Sequence, residues 1–380
     1  MRKLIDRGRL MFAVLVLIYF ASCSVPGAQS PSTPDGQMFG INLDGGEFTD
    51  GKPGSYGDKY VYPGIDYLDF KYGYEMDYLA AKKLKLVRYA FRWEQLQHDY
   101  YGPLTQLDLD GLDLALQNAQ AHGLLILLDM HNYGRFVGGT EYALGSPQVP
   151  KEAYADVWRK LAEHFRGQPA LYGYSIANEP IMLGCPNCTY YAAAQAAIDA
   201  IRQVDPDTPI IISPPAQSPA CWACPEYGAE HLLELRDPSN KLIFDAHIYF
   251  DVDEAGEYPH TYDWYVANLP GFGPDMGAAL AQPYVDWLRA HNQRGIFGEY
   301  GIPDDDPRWN VILDNFLTYA ERNSDVILGG AYWSAGPWWD NYPLSVEPRD
   351  GQDRPQMSVL TKHAASPAAP GWLYLPYIVR

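Results

Sequence analysis

The apolar patterning of this 380-residue chain predicts an α/β fold, a single (β/α)8 TIM barrel. Eight short apolar runs, each followed by an amphipathic stretch, succeed one another between residues 38 and 363. The runs are apolar throughout, as expected of strands covered on both faces. No Gly-rich phosphate loop follows an early run, so a doubly wound open sheet is disfavoured.

In chain order, "MFGINL" (38–43) leads into a helix-like stretch at 74–84. "LKLVRYAF" (84–91) leads into 110–122, and "LLILLDMH" (124–131) into 151–165. "LYGYSIA" (171–177) precedes 190–203, and "PIIIS" (209–213) precedes 228–235. "KLIFDAHIYF" (241–250) precedes 277–292, "GIFGEYG" (295–301) precedes 308–322, and "VILGGAYW" (326–333) precedes 355–363. No internal repeat, heptad or low-complexity block interrupts this order.

A barrel carries its chemistry at the C-terminal ends of its strands. Those ends hold Arg88, His131, Asn178 with Glu179, His247 with Tyr249, Glu299 and Trp333. Any one of them is ordinarily a satisfied structural partner. Together, on one rim, they point to a site. Pro180 has no backbone donor and is expected to end the fourth strand, leaving Glu179 in the mouth. Glu299 enters from the opposite side. Two facing carboxylates are the equipment of glycoside hydrolysis: one protonated to donate, one ionised to attack. Mutual repulsion and burial would push their pKa values apart. A separation of roughly 5 Å would mark the retaining geometry.

The formal net charge of −19 removes nucleic acid and anionic lipid as partners, since no basic field is available. Most of the 30 Tyr and 10 Trp belong to packing, and a minority suit the flat faces of sugars. Arg2, Lys3, Arg7 and Arg9 precede an apolar stretch from Leu10 to Phe20, so residues 1–23 read as a signal peptide. "FASC" resembles a lipobox with Cys23 as the lipidated residue, Phe20 standing where Leu is usual. Residues 24–36 read as a tether, 37–368 as the barrel, and 369–380 as an apolar tail, a packing strand or a sorting signal.

"IANEP" and "GEYG" resemble the acid/base and nucleophile segments of glycoside hydrolase family 5, the cellulase-type TIM barrels. The resemblance covers roughly residues 37–365 and includes "DMHNYGRFVGG", "FDAHIYFD" and "SDVILGGAYWSAGPWWDNYPLSVEP". It looks closest to the fungal-type endo-β-1,4-glucanase branch. It implies a retaining endo-β-1,4-glucanase acting on β-1,4-linked glucan, secreted or lipid-anchored, with no cofactor and no protein partner. It implies Glu179 as acid/base and Glu299 as nucleophile. Asn178 would bond the sugar 2-hydroxyl. Arg88 and Tyr249 would hold Glu299 ionised, and His131 and His247 would line the same subsite. Trp333 would be the sugar's platform. Tyr300 and Tyr332 depart from the familiar neighbours of the nucleophile and platform. Trp222, Trp338 and Trp339, in rim loops, are candidates for further platforms.

Four cysteines form two C-x-x-C pairs, Cys185 with Cys188 and Cys221 with Cys224. The spacing fits a structural zinc, while the leader favours disulfides. Either would staple the wall beside Glu179. Four thiolates leave no open position, so no catalytic metal is expected there. A β-mannanase or a broad β-glucanase would use the same rim. A non-catalytic carbohydrate-binding barrel would not need both glutamates. A metal-dependent hydrolase would need H-x-H or H-E-x-x-H and a serine hydrolase G-x-S-x-G, and none is present.

Overall fold

Each apolar run forms a strand, and the eight pair in parallel in chain order until β8 closes on β1. In this computed structural model the described residues are 36–48, 75–136, 144–180, 190–215, 229–339 and 341–364, all within the unit Thr33–Arg380. The leader, the apolar tail, Trp222 and all five cysteines lie outside them. The strands are β1 Met38–Gly46, β2 Leu86–Phe91, β3 Leu125–Met130, β4 Leu171–Ser175, β5 Ile210–Ile212, β6 Leu242–Tyr249, β7 Gly295–Gly301 and β8 Ile327–Ala335. No helix among the described residues is long and apolar enough to cross a membrane.

The barrel interior changes character along its axis. Met38, Leu86, Leu127, Tyr172, Ile211, Ile243, Ile296 and Leu328, one from each strand, form a buried apolar layer near the N-terminal end. Strand side chains alternate faces, so a residue two positions on points the same way. Two positions beyond Leu86, Leu127 and Ile243 stand Arg88, Asp129 and Asp245, all essentially buried. Two further bring His131 and His247. The same period-2 geometry that fills the floor with hydrocarbon therefore stacks charge above it.

Between the strands and the outer helices lies the larger core. On α4 (Lys151–Phe165) the buried face is Ala153, Tyr154, Val157, Trp158, Leu161, Ala162 and Phe165, spaced at three and four. α8 (Arg308–Arg322) buries Trp309, Ile312, Leu313, Phe316, Leu317 and Ala320 in the same way. The other α-helices are α1 Glu75–Ala81, α2 Trp93–Leu96, α3 Gln106–Ala121, α5 Tyr190–Arg202, α6 Tyr262–Asn268, α7 Met276–Ala290 and α9 Pro355–Ala364.

Four sequence expectations need correction. α3 begins at Gln106 where the periodicity pointed to 110, because Gln106-Leu107-Asp108-Leu109 alternates polar with apolar and so lacks helical spacing. The fifth unit carries a 3-10 turn, Ala229–Glu234, in place of an α-helix at 228–235. α2 and α6 are additional; α6 starts where the Thr261 side chain accepts from Trp264 N–H. Finally, Pro180 does not end β4. Paired residues stop at Ser175, opposite Ile211, because β5 is only three residues long. Beyond that point Asn178 is fixed by its N–H donating to Met130 O at 3.0 Å.

One glycine is dictated by the charged layer. A Cβ on Gly298 would stand 2.3 Å from both carboxylate oxygens of Asp245, which accepts Gly298 N–H at 2.6 Å. Gly298→Ala is therefore expected to lower unfolding stability by about 2 kcal/mol or more, since a packed interior gives poorly. Urea unfolding followed by far-UV dichroism measures it; an unchanged midpoint would show that Asp245 can move aside.

Candidate active site

Arg88 enters the barrel axis from β2 with 1% exposure. Its Nη1 donates to Asn42 Oδ1 at 2.7 Å and to Glu299 Oε1 at 3.0 Å. Its Nη2 donates to Asn178 Oδ1 at 2.6 Å and pairs with Asp129 Oδ1 at 3.1 Å. One guanidinium thus ties β1, β2, β3, β7 and the segment after β4. Asn42 is itself anchored, its Nδ2 donating to Gly298 O and Ala331 O.

Glu299 is held at both oxygens, by Arg88 on Oε1 and by the Tyr249 hydroxyl on Oε2 at 2.8 Å. Glu179 Oε1 lies 2.7 Å from His247 Nδ1. The same His247 nitrogen lies 3.4 Å from Glu299 Oε2. One carboxylate oxygen from each glutamate and this nitrogen all lie within 4.8 Å of one another. Side-chain exposure is 14% for Glu179 and 6% for Glu299, so Glu179 is the more open to the cleft. Its φ of 38° is left-handed, a conformation that costs a non-Gly residue energy and that the surroundings must enforce.

The two histidines are mounted alike. His131 Nδ1 faces Asp129 Oδ2 at 2.8 Å, and His247 Nε2 faces Asp245 Oδ2 at 3.3 Å. With Nδ1 turned to a carboxylate, His131 presents Nε2 to Asn178 Nδ2 at 3.0 Å. Tyr133 also reaches that nitrogen, at 3.1 Å. Trp333 stacks on His131 with ring centres 5.6 Å apart and stays partly exposed. Its peptide bond to Ser334 is cis. Trp338 and Trp339 are half-buried in the loop after β8, and Trp339 packs edge-on against Trp333 and Phe48.

Burial raises the pKa of a carboxyl and lowers that of an imidazole unless a partner outweighs it. For Asp129, burial is outweighed by Arg88 and His131, and its pKa is lowered. For Asp245, burial is outweighed by His247 and Arg88, again lowering it. His247 goes well above its usual value: burial opposes the charge, and Glu299 and Asp245 overcome it. The glutamates are pushed apart, but in the free site the order is the reverse of the expected one. Burial raises Glu299, with Glu179 adding to the rise, whereas the His247 bond brings Glu179 below its usual value despite burial. The three groups titrate as a coupled set, with a proton held on His247 against Glu179. That proton also bears on metal binding. Glu179, His247 and Glu299 have the spacing of a ligand triad, but a protonated ring nitrogen cannot ligate.

Of the residues read from the sequence, Arg88, His131, Asn178, Glu179, His247, Tyr249, Glu299 and Trp333 meet in this one mouth. Asn42, Asp129, Asp245 and Tyr133 were not foreseen. A signal for two of them was present: D-x-H occurs at both Asp129–His131 and Asp245–His247, and period 2 puts each carboxylate below its imidazole.

The model of cellulase, glycosyl hydrolase family 5, matches residues 62–337. The chain belongs to this family. It is a glycoside hydrolase, and the family's mechanism is retaining. Endo-beta-1,4-glucanase A of Emericella nidulans is 27% identical over 335 residues, covering 86% of this chain and 92% of that protein. Among solved structures, endoglucanase Cel5A of Pseudomonas stutzeri in complex with cellobiose is 39% identical, with a TM-score of 0.76 over 90% of this chain and 97% of the other. XacCel5A in complex with cellopentaose is 34% identical, with a TM-score of 0.76 over 86% and 99%.

These shifts set opposite pH limits. Asp129 and Asp245 have depressed folded pKa values, so their stabilisation is present above about 3.9, the unfolded value, and is lost as pH falls through the folded values. His247 has a raised one, so its share is present below about 6.5 and is lost as pH rises through the folded value. Asp245→Asn removes a charge that supports the imidazolium. The His247 pKa is expected to fall in this variant, read by NMR titration of the ring; an unchanged titration would mean that Glu299 and Glu179 alone hold the proton.

Proposed function

We propose that this family 5 hydrolase is an endo-β-1,4-glucanase that cuts internal β-1,4-glucosidic bonds by double displacement, with Glu299 as nucleophile and Glu179 as acid/base. The observation that carries the assignment is the two-point hold on Glu299. A carboxylate fixed at both oxygens by Arg88 and Tyr249 is oriented for attack and has its charge balanced by a guanidinium that cannot deprotonate. The spacing within 4.8 Å supports retention, since it falls short of the roughly 6.5–9.5 Å that inverting enzymes need to admit water beside the sugar. The names of the relatives support the glucan substrate.

In the first step Glu299 attacks the anomeric carbon while Glu179, protonated, donates to the departing sugar oxygen. His247 Nδ1–H beside Glu179 Oε1 is the nearest source of that proton. In the second step Glu179, now a base, takes a proton from water, which displaces Glu299 and returns the β-anomer. Asn178 supplies an amide to the 2-hydroxyl, where hydrogen bonds strengthen in the oxocarbenium-like transition state. Trp333, stacked on His131, offers its open face to the sugar. Export through residues 1–23 is part of this reading. The chemistry needs no metal.

Products from carboxymethylcellulose, mannan, xylan and mixed-linkage glucan test the substrate class. Rapid viscosity loss on the glucans is expected, and preferential cleavage of mannan would replace the reading. Proton NMR should show the β-anomer first, and exhaustive chelation should leave the rate unchanged.

The two glutamates separate by leaving group. Glu179→Ala should slow hydrolysis of cellulosic chains by roughly 10²–10⁴-fold, yet slow glycosylation by dinitrophenyl cellobioside far less, because that phenol departs unaided. Glu299→Ala should lose both substrates. Survival of the activated substrate in Glu299→Ala would reverse the roles.

A further inference from the structure

A second acid pair lies beside the site and takes no part in the mechanism above. Asp44 and Glu47, at and just beyond the C-terminal end of β1, are 0% and 6% exposed. Asp44 Oδ2 accepts the Trp339 indole N–H at 3.0 Å. Glu47 Oε2 accepts Gly45 N–H at 2.7 Å. Among the described residues Asp44 Oδ1 and Glu47 Oε1 are buried without a hydrogen-bond partner. Among the described residues no cation forms an ion pair with either carboxylate; Arg92 approaches Glu47 only at its backbone oxygen. Two negative charges at this depth, neither of them ion-paired, are strongly disfavoured. One proton relieves the pair and also supplies the hydrogen that the orphaned oxygens lack.

The neighbours give the pair its consequence. Trp339, bonded to Asp44, packs against Trp333, Phe48 and Tyr342. Ser334 follows Trp333 directly. We propose that Asp44 and Glu47 together retain one proton and position this aromatic shelf, with Asp44 as the positioning residue through Trp339 and Ser334. The inference rests on the glucanase reading for what lies on the shelf. The charged and titratable groups facing the pair are Glu299 and Tyr342 toward Asp44, and His131, Arg92 and Tyr133 toward Glu47. Their balance agrees. Burial, then Glu47 and Glu299, push Asp44 well up against the Ser334 and Trp339 donors, and burial raises Glu47 against His131 and Gly45 N–H. A raised folded pKa makes the ordered shelf a low-pH property, lost as pH rises through that value.

The test uses near-UV dichroism of the free protein against pH, with KM and kcat for cellopentaose. In the wild type the tryptophan signal and KM should change together on the alkaline side. Asp44→Asn keeps an acceptor for Trp339 without a charge; it should retain the wild-type KM at low pH and lose the alkaline change in dichroism. Glu47→Gln should move that change to lower pH. Asp44→Ala should raise KM roughly tenfold with kcat less affected. An alkaline change identical in wild type and Asp44→Asn would overturn the proposal, as would a low-pH KM for Asp44→Asn as high as for Asp44→Ala. Should Asp44→Ala not fold, the Asn and Gln variants decide alone. A wild type that cleaves no glucan would sink the glucanase reading and leave dichroism to judge the proton. Glucan cleavage with dichroism flat across pH would sink this inference alone.

Discussion

Arg88 carries a full charge into the axis of a closed barrel, where water cannot follow. Burial works against that charge, and Asp129 and Glu299 more than restore it. Removing both carboxylates would leave an uncompensated ion in a low-dielectric interior, which typically costs several kcal/mol. The consequences spread from that constraint. Asn42 must be oriented to accept from Arg88, so its amide is anchored on the backbone of β7 and β8. Asn178 must bring Oδ1 to the other arm, so its amide nitrogen turns to His131. The proposed nucleophile is placed by the same ion that holds the barrel's polar layer together.

The second half of the site is organised by Asp245. It accepts from Gly298 N–H, from the Ser213 hydroxyl and from His247. Asp245 supports the charge on His247, and the His247 bond in turn favours the ionised form of Glu179. A low pKa in the free site is not at odds with the role proposed for Glu179. The proton lies one hydrogen bond away, and seating a neutral sugar removes water from the cleft and favours neutral forms. The two D-x-H mounts are therefore not equivalent. His131 is fixed by Asp129 and faces Asn178, whereas His247 Nδ1 lies within reach of both glutamates.

The mouth also has an aromatic wall, assembled from the ends of β1 and β8, which meet only because the barrel closes. Trp333, Trp339 and Tyr342 come from β8 and the segment after it, Phe48 from just beyond β1, and Trp339, whose indole Asp44 accepts, touches the other three. Aromatic rings offer sugars large faces at low entropic cost, but only if held at a fixed tilt. That requirement gives a buried acid at the foot of such a wall a functional meaning beyond packing.

The sequence by itself determined the barrel. Its eight apolar runs appear as eight strands in the order read, because a strand buried on both faces must be apolar along its length. It also named the two glutamates and their immediate company, since polar residues at the ends of such runs have no place in a core. The boundaries that failed were those set by partners. The paired part of β4 stops at Ser175 against the short β5, and α3 starts on a turn whose polar–apolar alternation lacks helical spacing. What only the tertiary structure decided was the network: that Arg88 would meet Asn42, that His247 would hold its proton against Glu179, and that Asp44 and Glu47 would be buried with no ion pair among the described residues. Each depends on distances across the barrel between residues tens to hundreds of positions apart. Linear patterning records which face a side chain takes, and barrel closure alone fixes what stands opposite.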